Sequence, residues 1–278
     1  NALYADPESG ALFDYFGGLD DLSRRHVSFI GDPLQRIAED HLRILLFFRF
    51  SARFAAEADE AGLAACAQRA NDLMALSRER IRDELLKLLA LPDPAPMVGV
   101  MLRHSILSPV LPEIEPEAAV ALERLIAAER AAGVADEGAG DGLRRLAVLL
   151  PRNPDSMAAV AARLKLSNAA RRRLLAVADD TAVPDAPLAL AYRIGGTATL
   201  DRLLLDSDPR AAVWAGRLAA YQAPRLPISG RDLIAMGLTP GPEVSSQLAE
   251  VERRRIDSGF PTTRERVLTI AREVLRVR

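Results

Sequence analysis

The 278-residue chain is poor in the residues that most often build reactive sites. It has one cysteine, Cys66, which excludes an internal disulfide framework and fits a reducing compartment such as the cytoplasm. There is no Cys-x-x-Cys pair, no Gly-x-Ser-x-Gly and no Walker loop. His26, His41 and His104 show no metal-ligand spacing and have no cysteine partner. No complete catalytic constellation is therefore written in the chain, and no metal ligands are assigned. Aromatic residues make up only 5%. Lysine is scarce too: Lys87 and Lys165 are the only two among 36 basic residues. No stretch reaches the length of a membrane-spanning helix, and no signal-peptide pattern is present. The compact apolar run Ile44–Phe48 is bracketed by Arg43 and Arg49.

What remains is rich in Ala, Leu and Arg, a composition that favours helices over sheets. The length suggests about two domains. The net charge of −2 hides an asymmetry. Residues 140–278 carry 22 Lys+Arg against 15 Asp+Glu, and the remainder carries 14 against 23. A basic C-terminal half suits a polyanionic partner, and equally suits a solvated helical surface.

Two short apolar segments, Ala2–Ala5 and Leu12–Tyr15, flank the turn cluster Asp6-Pro-Glu-Ser-Gly10 and read as a hairpin ended by Gly17-Gly18. Val27–Ile30 reads as a third short strand. From Asp32 every clear element is helical. The first helix is expected from Pro33 to about Glu60, with Asp32 as N-cap and Pro33 at N1. Others are expected at Leu63–Met74, from Ser77 to Leu89, at Pro96–His104, Pro116–Ala132, Leu143–Leu150, Pro154–Leu164, Ser167–Asp179, Pro187–Gly195, Leu200–Leu205 and Pro209–Ala223. Pro92-Asp-Pro-Ala-Pro96 marks a boundary, and Gly133–Gly142 reads as a flexible loop. Cys66 lies on an Ala-rich face with no basic neighbour, as a core thiol does. No fixed-period repeat appears.

The most informative stretch is Glu39-Asp40-His-Leu-Arg43. On one helix Asp40 and Arg43 are i,i+3 neighbours and Glu39 and Arg43 are i,i+4 neighbours. A carboxylate acceptor beside a guanidinium donor matches the Watson–Crick edge of cytosine or adenine, which presents an amine next to a ring nitrogen. Uracil and guanine reverse that order and would leave polar groups unpaired. The same residues also read as an ordinary surface ion-pair network, worth ~0.2–0.5 kcal/mol per pair. Further on, Gly195-Gly196 followed by Asp206-Ser-Asp208 imitates a Gly-Gly then Asp-x-Asp metal-binding signature. Its interval is short and its flanks are helical, so it reads as a helix end and a new N-cap. Leu226–Leu248 reads as helix–hairpin–helix, with Gly237 and Pro240-Gly241-Pro242 forming the turn. Such a turn exposes backbone N–H groups to a phosphate, and Arg253-Arg254-Arg255 lies downstream.

Three runs in order, Phe13-Asp-Tyr-Phe-Gly-Gly-Leu-Asp-Asp-Leu22, Val27-Ser-Phe-Ile-Gly-Asp-Pro33 and Arg36-Ile-Ala-Glu-Asp-His-Leu-Arg-Ile-Leu45, resemble the class II tRNA nucleotidyltransferase/poly(A) polymerase family, which includes the bacterial CCA-adding enzymes. The resemblance covers the first ninety or so residues strongly and the last fifty moderately. It implies a mainly α fold in which residues 1–31 are the C-terminal remnant of a nucleotidyltransferase head, 32–92 a neck with the base template, 93–185 a helical body and 186–278 an RNA-binding helical tail. It implies Asp40 and Arg43 as readers of CTP and ATP, with Glu39 orienting the arginine. Asn1 would be the last polar member of an upstream nucleotide-binding motif, and Gly17 and Gly18 a flexible link. Glu79-Arg80-Ile81-x-x-Glu84-Leu85 resembles a neck brace, with Arg80 and Glu84 as an i,i+4 pair. Gly237, Gly241, Arg253, Arg254 and Arg255 are the expected RNA contacts. Leu46 stands where many relatives have another arginine, and Ser245 where they have a glycine.

The implied activity is transfer of CMP and AMP from CTP and ATP to the 3′ end of tRNA, with Mg2+ held by residues outside this chain. The alternatives are a poly(A) polymerase that uses ATP only, or a non-catalytic tRNA-binding module. The expected setting is cytoplasmic, without a membrane. The chain starts in mid-motif without Met, which reads as a fragment of a longer protein, so the chain alone is expected to be inactive.

Overall fold

The structure is a computed structural model that describes residues 3–55, 57–135, 140–179, 181, 183–260 and 263–276. Asn1 lies outside the described residues.

One antiparallel hairpin opens the chain: β1 (Leu3–Ala5) pairs with β2 (Leu12–Asp14), Tyr4 facing Phe13. The expected strand at Val27–Ile30 does not form. Its side chains serve packing instead: Val27 and Phe29 lie against the helical core, and Phe29 stacks on Phe47 at 5.3 Å. Everything else regular among the described residues is helix: α1 (Gly18–Ser23), α2 (Pro33–Glu39), α3 (Arg43–Phe54), α4 (Glu60–Gln68), α5 (Arg78–Leu89), α6 (Ala95–Arg103), α7 (Ala118–Ala131), α8 (Gly142–Leu149), α9 (Pro154–Arg163), α10 (Asn168–Ala178), α11 (Pro187–Ile194), α12 (Gly196–Leu205), α13 (Arg210–Ala219), α14 (Gly230–Ala235), α15 (Pro242–Asp257) and α16 (Arg264–Arg276), with a 3-10 turn at Ala70–Ala75.

The helix starts follow from the caps. Asp32 accepts from the Gln35 amide, Ser77 from Arg80, Asn153 from Asp155 and Ser156, and Ser167 from Ala170. Two expected helices are corrected. Asp59 accepts from the Gly62 amide and starts α4 at Glu60, and the segment tightens to 3-10 after Gln68. The helix expected from Pro33 to Glu60 is two helices. Asp40 is extended, with φ −154° and ψ 108°, and its carboxylate accepts the Leu42 amide at 3.1 Å. That local bond competes with helix continuation and restarts the chain as α3.

Two compact units emerge, residues 1–181 with 200–215 and residues 182–199 with 216–278. The core of the first is built on the inward faces of α2 to α10, including Ile37, Ile44, Leu45, Phe48, Leu73, Ile81, Leu85 and Leu88, none more than 1% exposed. Each such side chain contributes about 1.5–3 kcal/mol on burial. Cys66 belongs to this core, and burial pushes its thiol up to about 12, so it stays protonated and inert. The second unit packs Leu233, Val251, Val267 and Ala271 around the α14–α16 hairpins. Within it, a side chain at Gly196 would strike the Leu218 carbonyl, which accounts for the glycine without a phosphate. Among the described residues no helix is long and apolar enough to cross a membrane.

A buried ionic cluster ties the first unit together. Glu129, fully buried on α7, accepts from Arg144 at 2.9 Å and from Arg145 at 2.7 Å, both on α8. Asp201 accepts from Arg144 at 2.6 Å and from Arg173 at 2.5 Å, and Arg173 also reaches Asp141 at 2.6 Å. Asp141 caps α8 and so anchors the far end of the loop Gly133–Gly142, whose residues 136–139 lie outside the described set. Arg145 donates to the carbonyls of Leu89 and Leu91, and Gly140 to that of Ala90 at 2.7 Å. Removing one partner of a buried pair leaves a charge uncompensated. Glu129→Gln is therefore expected to lower unfolding free energy by about 3–5 kcal/mol, measured by urea denaturation.

Candidate functional site

The junction between α2 and α3 places three charged groups of the Glu-Asp-x-x-Arg stretch side by side, though not on one rod. Glu39 ends α2. Its Oε2 accepts from Arg43 Nη1 at 2.5 Å and from Arg36 Nη1 at 2.5 Å. The Arg43 bond is the main reason the Glu39 carboxyl sits below its ordinary range. Arg43 Nη1 also donates to the Arg36 carbonyl at 2.7 Å. One nitrogen of the Arg43 fork is thus pinned by Glu39 and the backbone, which orients the plane of the guanidinium. Among the described residues no hydrogen bond or ion pair takes its Nη2.

Asp40 occupies the break itself. Its pairing with Arg43 across a helical turn, expected from spacing, is replaced: Arg80 on α5 donates through Nη2 to Asp40 Oδ2 at 2.9 Å and Oδ1 at 3.2 Å. The expected Arg80–Glu84 pair is likewise replaced. Glu84, largely buried, accepts from Arg49 at 2.7 Å and from Lys87 at 2.7 Å. Spacing could not reveal this, because Arg80 and Asp40 are 40 residues apart in sequence. Partial burial pushes the Asp40 carboxyl upward, but the Leu42 amide and the Arg80 guanidinium outweigh it and hold the group below the usual carboxylate range. Asp40 is therefore an ionised acceptor at neutral pH.

Gly17 takes the left-handed conformation at φ 76°, which favours glycine, and Gly18 starts α1. The Asp14 carboxylate accepts the amides of Gly18 at 2.7 Å and Leu19 at 3.0 Å, so the turn after the hairpin is tied to β2.

In the second unit Ser229 and Asp232 form a capping box on α14. Gly237 ends that helix at φ 102°, and Gly241 precedes α15 in extended backbone. A surface hollow of about 580 Å3 lies at this hairpin, lined by Ser229, Gly230, Arg231, Ile234, Gly241 and Val244. The arginine triplet does not act as one patch. Arg253 is exposed and pairs with Glu250 and Asp257, and Arg254 pairs with Glu250. Arg255 is 1% exposed, lies 5.9 Å over the Tyr192 ring and donates to the Pro224 carbonyl at 3.4 Å. Its helical position turns it inward, so its expected role as a surface RNA contact is corrected to an internal one. A second hollow of about 840 Å3 brings Arg193, Arg225 and Arg253 together with Tyr192 and Glu252. No sequence motif marked Arg193 or Arg225.

The imitation metal signature dissolves in the fold. Asp206 pairs with Arg152, and Asp208 with Arg210 at 2.6 Å. Among the described residues no three His, Cys, Asp or Glu side chains gather as a metal-binding group. Each paired with an arginine, Asp206 and Asp208 do not fit a Mg2+ site, and no metal-dependent step is assigned to them.

Residues 58–117 match the family model described as "Probable RNA and SrmB- binding site of polymerase A". The human mitochondrial CCA tRNA nucleotidyltransferase 1 is 28% identical over 94% of this chain and 61% of its own length. The chain is similar to the CCA-adding tRNA nucleotidyltransferases over most of its length. The fold agrees. The Bacillus stearothermophilus CCA-adding enzyme, solved in complex with CTP, superposes with a TM-score of 0.73 at 24% identity, covering 100% of this chain and 72% of that one. The Thermotoga maritima CCA-adding enzyme, complexed with tRNA, gives a TM-score of 0.64 at 21% identity, covering 100% and 71%. The chain thus spans less than two thirds of the human relative.

The Asp40 carboxylate has a checkable titration. Its folded value is depressed, so its contribution to stability is present above the unfolded pKa and is lost as pH falls through the folded value. Carboxyl-carbon NMR is expected to find Asp40 titrating below the unperturbed ~3.9, and Arg80→Ala is expected to move it upward. An unchanged midpoint in the variant would show that Arg80 does not set the ionisation of Asp40.

Proposed function

We propose that this chain is the template and RNA-binding portion of a tRNA nucleotidyltransferase that adds CMP and AMP, from CTP and ATP, to the 3′ end of tRNA. One observation carries the reading: an ionised acceptor, Asp40, stands three residues from a guanidinium, Arg43, whose first nitrogen is already committed to Glu39 and a carbonyl. An acceptor beside a donor with free N–H groups suits the amine and ring nitrogen of cytosine or adenine. It leaves uracil and guanine with unpaired polar groups. Glu39 orients the arginine and does no chemistry.

We read residues 1–31 as the edge of a catalytic head, 32–92 as neck, 93–185 as body and 186–278 as tail. Gly17 and Gly18 are the link through which the template reorients between bases, and Asn1 is a nucleotide contact. The tail holds RNA by phosphates at the Gly237–Gly241 hairpin and through Arg193, Arg225, Arg253 and Arg254. Such contacts position a strand without reading its sequence. Magnesium chemistry belongs to residues outside this chain. A cytoplasmic setting is part of the proposal and rests on the single buried thiol.

A second reading, polyadenylation with ATP alone, is favoured by the family model matched at residues 58–117. Comparing CTP and ATP use by the full-length protein separates the two, since an ATP-only enzyme incorporates no CMP. The 278-residue chain alone is expected to incorporate neither nucleotide, and robust incorporation would overturn the assignment of the metal chemistry elsewhere. In the full-length protein, Asp40→Ala is expected to reduce preference for CTP over UTP by at least about tenfold, the worth of one charged hydrogen bond. Unchanged selectivity would remove Asp40 from the template.

A further inference from the structure

We propose that Arg80 is a positioning residue that sets nucleotide selectivity by holding the Asp40 carboxylate with a single acceptor direction open. The inference rests on the template reading of Asp40. A carboxylate offers about four acceptor sites. Leu42 N–H takes one on Oδ1 at 3.1 Å. Arg80 Nη2 takes a second on Oδ1 at 3.2 Å and one on Oδ2 at 2.9 Å. What remains is one site on Oδ2, enough for one N–H of an exocyclic amine.

Three features make this an orienting contact more than a stabilising one. The pair is half-exposed, with Arg80 at 49% and Asp40 at 35% side-chain exposure. Ion pairs that open to water contribute only ~0–1 kcal/mol to stability. Asp40 is extended in the break between α2 and α3 with its carbonyl accepting the Arg43 amide at 3.0 Å, so the direction of its carboxylate is set by the Leu42 amide and Arg80. Finally, Glu84, the carboxylate one turn from Arg80 on α5, is already held by Arg49 and Lys87. The Arg80 fork is therefore directed across to the template turn. A freely rotating Asp40 would present two acceptors and tolerate a shifted base, so discrimination would weaken without any change in the reacting groups.

The test uses the full-length protein and a tRNA lacking its terminal nucleotides, with kcat and KM measured separately for CTP, ATP and UTP. Arg80→Gln is expected to raise KM for CTP and ATP and to lower the CTP:UTP preference about tenfold, with kcat for CTP within about twofold. Arg80→Lys keeps the charge but loses the planar fork, and is expected to fall between wild type and Arg80→Gln. Arg78→Gln, on the same helix but bonded to Met74, is expected to leave selectivity unchanged. The decisive measurement is a double-mutant cycle. In an Asp40→Asn background, adding Arg80→Gln is expected to cause no further loss of selectivity. Additive losses, or wild-type selectivity in both Arg80 variants, would overturn the role of Arg80. If Asp40→Asn itself leaves selectivity intact, the template reading fails instead. If Arg80→Gln does not fold, the Arg80→Lys arm and its own cycle with Asp40→Asn decide the question.

Discussion

The first unit depends on carboxylates that are out of reach of water. Glu129 and Asp201 are buried, and between them they hold Arg144, Arg145 and Arg173. Four helices, α7, α8, α10 and α12, contribute side chains to this one cluster. Charges this deep persist only when paired and hydrogen-bonded, so the cluster admits few relative placements of those helices. Arg145 extends it to the carbonyls of Leu89 and Leu91, which closes the end of α5. The helix that carries Arg80 is thereby fixed at its far end by the same network that organises the body.

Across the α2–α3 break the electrostatics work differently. The groups there are partly exposed, and their pairings are short-range and directional. Asp40 breaks a helix because its own carboxylate competes for the Leu42 amide, and the break frees it to meet Arg80. Glu39 pins Arg43 while ending α2. The result is a turn whose acceptor and donor are each only partly satisfied within the protein. A continuous helix would have placed Asp40 and Arg43 against each other.

The tail follows a third pattern. Its arginines outnumber nearby acids in sequence, yet several are neutralised locally by Glu250, Asp257 and Asp232. The net basic character of residues 140–278 therefore overstates the positive surface, since part of it is spent inside the buried cluster and part in pairs along α15. Arg193 and Arg225, which no motif singled out, meet Arg253 at one hollow. Separate elements contribute to that hollow, and only folding places them together.

Periodicity, caps and punctuation determined most of the helices, and the hairpin at the N-terminus, because those depend on neighbours a few residues away. The Glu39–Arg43 pair was legible for the same reason. What spacing could not determine was partner choice among many arginines. Arg80 had an acid one turn away at Glu84 and took Asp40 instead, Arg255 turned inward while Arg253 faced out, and Val27–Ile30 packed as an irregular segment where its β-favouring residues suggested a strand. Each of these outcomes is a competition between a local preference worth a few tenths of a kcal/mol and a long-range contact or burial worth more. Sequence alone determined that this chain carries an acceptor–donor pair on a helical frame. The tertiary structure decided which groups hold that pair, because pairing across 40 residues is set by where α5 packs.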